Sequence, residues 1–276
     1  MDSPERPASR TAAGVALLRV VHDRCDGQPK ILSDPVIPAL LDDDLLRRAV
    51  ASPEWWGSPR MAGLRSHVVL RSRFTEDCLR EAAARGVRQY VILGAGFDTF
   101  AYRQPEWASA LRIFEVDHPA SQRAKIERLH TARIALPENL EFVAADFEVS
   151  SLLEILAASR LNFQAPAFFA CLGVLVYLAA PAVEAIFRLV TSFPRGSEIV
   201  FTIAQPGEHS LAQDAAAVGE PWLSFHDPVL LASQLTAAGF SEVYFLDPET
   251  ARERYYQDRT DALPPPRRVT IGRTVV

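Results

Sequence analysis

The chain has little that would hold it together covalently, bind a metal or place it in a membrane. Its three cysteines, Cys25, Cys78 and Cys171, lie far apart in 276 residues, odd in number and without Cys-x-x-Cys spacing. That excludes a disulfide framework and offers no zinc site. The six histidines show no i, i+4 pair with a companion acid, so no metal-ligand set is expected. The longest apolar stretch, Ala165 to Pro181, contains Gly173 and falls short of the roughly 20 residues that span a bilayer. It reads as a buried strand followed by a loop. The opening residues, MDSPERPASRTAAG, carry acids, arginines and prolines where a secretory signal needs an apolar run, so a cytoplasmic location is expected. Basic charge is scarce as well: 29 Lys and Arg against 34 Asp and Glu leave a net charge of -5, the wrong sign for a broad nucleic-acid footprint.

What is present is a globular composition, 49% hydrophobic and 23% charged, in a length suited to one domain. From Thr11 to Ala84 apolar residues recur three and four apart, in AAGVALLRVVHD, VIPALLDDDLLRRAVA and HVVLRSRFTEDCLREAAARG. These predict three helices forming an N-terminal cap over residues 1–88, the third ended by Gly86. Over 89–276, β-rich runs (QYVILG, LRIFEVD, LEFVAAD, AFFACLG, SEIVFTIA, SEVYFLD) alternate with helical ones. The alternation predicts an α/β fold with a mostly parallel sheet and helices on both faces. RRVTIGRTVV, after the prolines Pro264 to Pro266, is expected to add a seventh strand, antiparallel and at the edge, after a connection of roughly twenty residues. Gln205 to His226 exceeds an ordinary loop and is a candidate lid beyond the carboxyl ends of the strands, where open α/β sheets bind ligands.

The string YVILGAGFDTFAYR runs a hydrophobic strand into Gly94, Ala95 and Gly96, a turn through which a backbone can approach a ligand closely. A dinucleotide fingerprint needs a third glycine and a pyrophosphate at the following helix. Here Thr99 stands at that position, and Asp98 would repel the phosphates. An acid beside the turn suits a ligand with ammonium and sulfonium charges, as in S-adenosylmethionine. Asp117, with His118 after it in FEVDHP, follows Gly96 by 21 residues, the spacing at which an acid reaches ribose hydroxyls. Asp146 and Phe147 in AADFE end the third strand, placed to meet an adenine amino group and ring. Helix N-capping is the rival role for each of these acids.

These residues resemble the leucine carboxyl methyltransferase-like branch of the class I S-adenosylmethionine-dependent methyltransferases. The resemblance runs through RSRF (Arg71 to Phe74), ILGAGFDTFAYR, FEVDHP, AADFE and GVLVYL and covers most of Thr11 to Val276. It implies a Rossmann-like sheet of seven strands and S-adenosylmethionine as cofactor. It also implies that Arg71 pairs with the cofactor carboxylate, for which a guanidinium fork is suited, and that the glycine turn lines the methionine half. Where relatives carry glutamate before the VLVYM-like string, this chain has Leu172, so a polar contact to the methionine end is missing and a protein-phosphatase substrate is not expected.

Methyl transfer asks mainly for alignment of acceptor and methyl group. A carboxylate acceptor needs no general base, whereas a hydroxyl does. Tyr177 in GVLVYL is the expected acceptor-side residue, and His209 and His226 in the long insertion are the expected bases; each has an ordinary packing or surface role as its rival. Trp55 and Trp56 in PEWWGSP are read as a loop anchor, with an aromatic pocket wall as the alternative. The activity expected is O-methylation of a carboxylate or hydroxyl on a small molecule. The competing readings are a nicotinamide-dependent oxidoreductase and an adenosine-binding module without turnover.

Overall fold

The computed structural model describes residues 9–207, 210–259, 261 and 263–276. Four helices come first: α1 (Arg10–Cys25), α2 (Asp43–Ala51), α3 (Pro53–Gly57) and α4 (Pro59–Ala84). Alternation follows as β1 (Gln89–Leu93), β2 (Arg112–Asp117), α5 (Pro119–Thr131), β3 (Leu140–Ala144), α6 (Leu152–Ala157), β4 (Phe168–Cys171), α7 (Ala180–Thr191) and β5 (Glu198–Thr202). The chain continues through α8 (Ser210–Ala217), α9 (Pro228–Ala237), β6 (Glu242–Phe245), α10 (Pro248–Tyr255) and β7 (Ile271–Val275).

The helix starts follow local chemistry. Ser58 accepts a hydrogen bond from Met61 N, and Pro59 opens α4, an N-cap followed by a first-turn proline. The helix therefore begins eight residues before the periodic run that announces it. At its other end Gly86 takes φ +103 while Val87 N bonds back to Ala82 O, the left-handed stop that glycine permits. The expected second helix is split: Pro35 and Pro38 confine the first part to a short 3-10 turn, and α2 starts at Asp43 with two acids in its first turn.

The sheet order is β3-β2-β1-β4-β5-β7-β6, with β7 antiparallel to both neighbours and the other pairs parallel. Residues alternate between two cores: Tyr90 and Ile92 of β1 face the layer that holds α4 and α10, while Val91 and Leu93 face α6, α7 and α9. In α7, Val183, Ile186, Phe187 and Val190 are buried, the i, i+3, i+4, i+7 stripe of a helix lying on a sheet. A third core joins α1, α3, the first half of α4 and Leu129 of α5. The same helix α4 thus covers the sheet and carries the cap.

One expectation is corrected. β7 is no edge strand: it lies between β5 and β6, and β6 is the edge. The polar residues that suggested an edge are satisfied internally, Arg273 by Glu198 and Glu81 and Thr274 by Glu242 O. The connection into β7 also holds a helix, α10, capped by Asp247 at the backbone of Glu249 and Thr250. The strand order reverses between β1 and β4, which opens a crevice at the carboxyl ends of the sheet.

Candidate active site

At that crevice lies a cavity of about 1030 Å³, roofed by α1, α3 and α8 and walled by α4. Its volume is at the upper end of the range for small-molecule sites, roughly 300–1,000 Å³. The roof is held across the mouth by three polar contacts: Ser9 and Thr11 each donate to Glu220, and Arg60 pairs with Asp214. The sequence-selected Gln205 to His226 segment thus meets the N-terminal helices over the sheet.

The glycine turn is fixed from beneath. Gly94 N and Ala95 N both donate to Val116 O, at 2.8 and 3.2 Å. Gly94 takes φ +69, and a Cβ there would sit 2.3 Å from Val174 Cγ2. Its missing side chain is required by packing against the β4 turn as well as by the backbone. Thr99, fully buried, donates to Asp34 at 2.7 Å. Asp34 also takes Ile37 N at 3.1 Å and Arg19 at 3.0 Å. Arg103 spans Thr99 and Glu76 of α4. The FDTFAYR string is therefore a brace that ties turn, cap and α4 together, with Thr99 occupied structurally where a dinucleotide turn has glycine. Tyr102 joins the brace through Glu115 at 3.4 Å.

Arg71 projects from α4 into the cavity, half-buried, and among the described residues its guanidinium has no hydrogen bond or ion pair. It lies against Gly173, where a Cβ would come within 2.7 Å of Nη1; Gly173, at φ +72, is the room made for it. Burial, with Arg19 adding repulsion, lowers its pKa to about 10, opposed by the nearby Tyr177 and Asp98. Asp98 accepts from Phe100 N at 2.8 Å and lines the same cavity. A cation and an anion that do not contact each other thus face one space at the β1 and β4 ends.

On the other side of the switch point, Asp117 accepts from Gly96 N through Oδ2 and from His118 N through Oδ1. Burial raises its pKa, and those two N–H groups pull the other way. Each oxygen keeps a further lone pair for a ligand hydroxyl. The cap of α5 is His118, whose Nδ1 accepts from Ala120 N at 3.2 Å, so Asp117 is released from the capping role. His118 Nε2 lies 3.7 Å from Asp146 Oδ2. Asp146 also accepts from Glu148 N at 3.0 Å, and Phe147 lines the cavity beside it.

Leu172 and Tyr177 line the cavity at the β4 end, and Trp55 and Trp56 line it from α3, edge to face at 4.3 Å. The two tryptophans are both anchor and wall: Trp56 is 7% exposed and Trp55 54%. The structure does not bring His226 to the cavity. Its backbone N–H bonds Ala204 O at 2.8 Å, and its Nε2 is buried with no hydrogen-bond partner among the described residues. His209 lies outside the described residues. Arg19, His67 and Gly173 also line the cavity, and sequence reading passed over them. Only the four-residue step from His67 to Arg71 on one helix face was available as a signal.

Residues 12–191 match the profile of a family described as leucine carboxyl methyltransferase. A candidate S-adenosyl-L-methionine-dependent methyltransferase of Bacillus subtilis, YktD, is 33% identical over 205 residues, 70% of this chain and 67% of its own length. A second, from Streptomyces coelicolor, is 31% identical over 208 residues, 71% and 69% of the two chains. Among solved structures, a candidate methyltransferase from Thermobifida fusca superposes with a TM-score of 0.59 at 18% identity, covering 98% of this chain and 95% of that one. A likeness at that identity speaks for the fold alone.

Proposed function

The chain belongs to the leucine carboxyl methyltransferase family, and on that footing we propose that it binds S-adenosylmethionine across the ends of β3, β2, β1 and β4 and methylates oxygen, as carboxylate or hydroxyl, on a small molecule. The observation that carries this reading is the Arg71 guanidinium, unpaired among the described residues, lining the same cavity as Asp98. An α-amino acid end needs one cation for its carboxylate and one anion for its ammonium. Asp117 then takes the ribose hydroxyls, and Asp146 and Phe147 take the adenine edge and face. When bound, the cofactor supplies a methyl carbon activated by the adjoining sulfonium.

The chain's own work is alignment and exclusion of water, carried by the roof of α1, α3 and α8. Leu172 and the tryptophans make the acceptor side mostly apolar, which suits a small molecule better than a charged protein terminus. Among the described residues no helix is long and apolar enough to cross a membrane, and we place the enzyme in the cytoplasm.

Calorimetry with S-adenosylmethionine, S-adenosylhomocysteine and NAD in parallel tests the cofactor. Binding of the first two without the third is expected; binding of NAD alone would reverse the assignment. Asp117→Ala is expected to weaken binding of both adenosyl compounds about tenfold or more, the worth of hydrogen bonds to a charged group. It is also expected to lower the melting temperature, because Gly96 N and His118 N lose their acceptor. Unchanged affinity would remove the ribose role.

Gly173→Ala has a separate signature. The new methyl would meet the Arg71 guanidinium at 2.7 Å in a residue at φ +72. A stability loss of about 1–2 kcal/mol is expected together with weakened cofactor binding. Full affinity in the variant would show that Arg71 does not need its seat on Gly173.

A further inference from the structure

We propose that His67 is the proton acceptor of the reaction, which narrows the methyl acceptor from the wider oxygen class to an alcohol or phenol seated over β5 and β7. The inference rests on the cofactor placement given above.

The sheet order assigns the space. With the cofactor laid across the ends of β3, β2, β1 and β4, the rest of the cavity lies over the end of β5 and the start of β7, which enters the sheet from the same side because it is antiparallel. Ile203, directly after β5, lines this part, and Trp56, Met61 and Trp222 add apolar surface to the same cavity. His67 faces it from α4, four residues before Arg71 and so on the same helix face.

The ring is held in a particular way. Nδ1 lies 3.3 Å from the Thr270 hydroxyl, just before β7. Nε2 has no partner among the described residues. It differs from Nε2 of His22 and of His226, both sealed inside the protein, since His67 is only half-buried and lines the cavity. With the Nδ1 proton given to Thr270, Nε2 presents a lone pair to the acceptor chamber. Of the two expected bases, His226 is not among the residues lining the cavity and His209 lies outside the described residues; Asp98, which does line it, already accepts from Phe100 N.

Burial, and secondarily the Arg71 charge, lowers the His67 pKa to about 3, so the ring is neutral when substrate arrives. A weak base suffices here. As the acceptor oxygen bonds to the methyl carbon, the carbon–sulfur bond breaks with its electron pair going to sulfur. The oxygen's proton becomes far more acidic than an imidazolium and passes to His67 Nε2, then to water. A carboxylate bound at Arg71 also offsets the charge that opposes protonation. A carboxylate acceptor brings no proton and would leave His67 idle.

The tautomer decides. Imidazole nitrogen NMR of the full chain, saturated with S-adenosylhomocysteine, is expected to show His67 neutral with its proton on Nδ1 from about pH 5 to about pH 8; His67→Asn identifies its signals. A proton on Nε2, or a doubly protonated ring in that range, overturns the proposal. Titration with 2-naphthol should move the Nε2 signal. Movement with 2-naphthoate and none with 2-naphthol would instead mark a carboxylate chamber and overturn it. His67→Asn should also leave affinity for S-adenosylhomocysteine unchanged in calorimetry, and a parallel loss of that affinity would make the residue part of the cofactor site. If the wild-type protein fails to bind S-adenosylhomocysteine, the cofactor assignment falls, while the tautomer is still read on the free protein.

Discussion

Arg71→Met is expected to lower affinity for S-adenosylmethionine by about 10- to 100-fold, from the roughly 1.5–3 kcal/mol that hydrogen bonds to a charged partner contribute. The fold should survive, because among the described residues the guanidinium makes no hydrogen bond or ion pair that the variant would break. The ligand-free variant should melt no lower than the wild type, since a half-buried cation with no ion-pair partner among the described residues is unfavourable and methionine removes it. The pH profiles add a check with a definite sign. Cofactor affinity of the wild type should fall as pH rises through about 10, where Arg71 loses its proton. Stability of the ligand-free protein should rise over the same interval, because a base depressed in the folded state leaves the unfolded chain holding more protons. The variant should show neither limb. Affinity insensitive to Arg71→Met would move the carboxylate elsewhere, Arg19 being the other buried arginine at the cavity.

The second large effect concerns the layer beneath the site. Lys125 of α5 reaches Glu115 of β2 at 2.6 Å, both almost wholly buried, with the Tyr102 ring under the ammonium at 5.3 Å. Burial pushes the Glu115 carboxyl up to about 7 against the pull of Lys125, and its Oε1 has no hydrogen-bond partner among the described residues. Lys125→Met leaves a buried acid with no countercharge, and a loss of about 3–5 kcal/mol is expected above neutrality. The loss should shrink toward pH 5. An acid whose pKa is raised on folding favours the folded state at low pH, and that contribution disappears as pH climbs through about 7. Denaturant unfolding at two pH values measures the difference. The double change Glu115→Leu with Lys125→Met should recover most of the stability, as apolar replacements of buried pairs do. A pH-independent loss would mean that packing of the lysine stem, and not its charge, is what matters.

Much of the sheet was legible because parallel strands buried on both faces read as plain hydrophobic runs, and QYVIL and EIVFT are buried throughout. β7 was misplaced for a physical reason. Arg273 and Thr274 look like solvent-facing residues until Glu198, Glu81 and the Glu242 carbonyl meet them, partners tens to hundreds of residues away. α10 escaped because PETARERY is polar nearly throughout, and its start rests on one Asp-Pro cap. At the site, the acids at strand ends were visible through spacing along the chain. Gly173 and His67 were not, since their roles depend on what faces them: the Arg71 guanidinium in one case and the Thr270 hydroxyl in the other. Asp34, which gathers Arg19, Ile37 and Thr99, was silent for the same reason. Nothing near it in sequence announces a hub.

The tryptophans that wall the cavity turn the molecule into its own optical probe. The chain has four, and three of them, Trp55, Trp56 and Trp222, line the cavity. The fourth, Trp107, packs against Phe100, with ring centroids 6.0 Å apart. Emission from the three should change when ligand displaces water from the chamber, while Trp107 gives a steady background. An acceptor seated against them would then be seen without label or turnover, and its contribution separated from that of the cofactor by the order of addition.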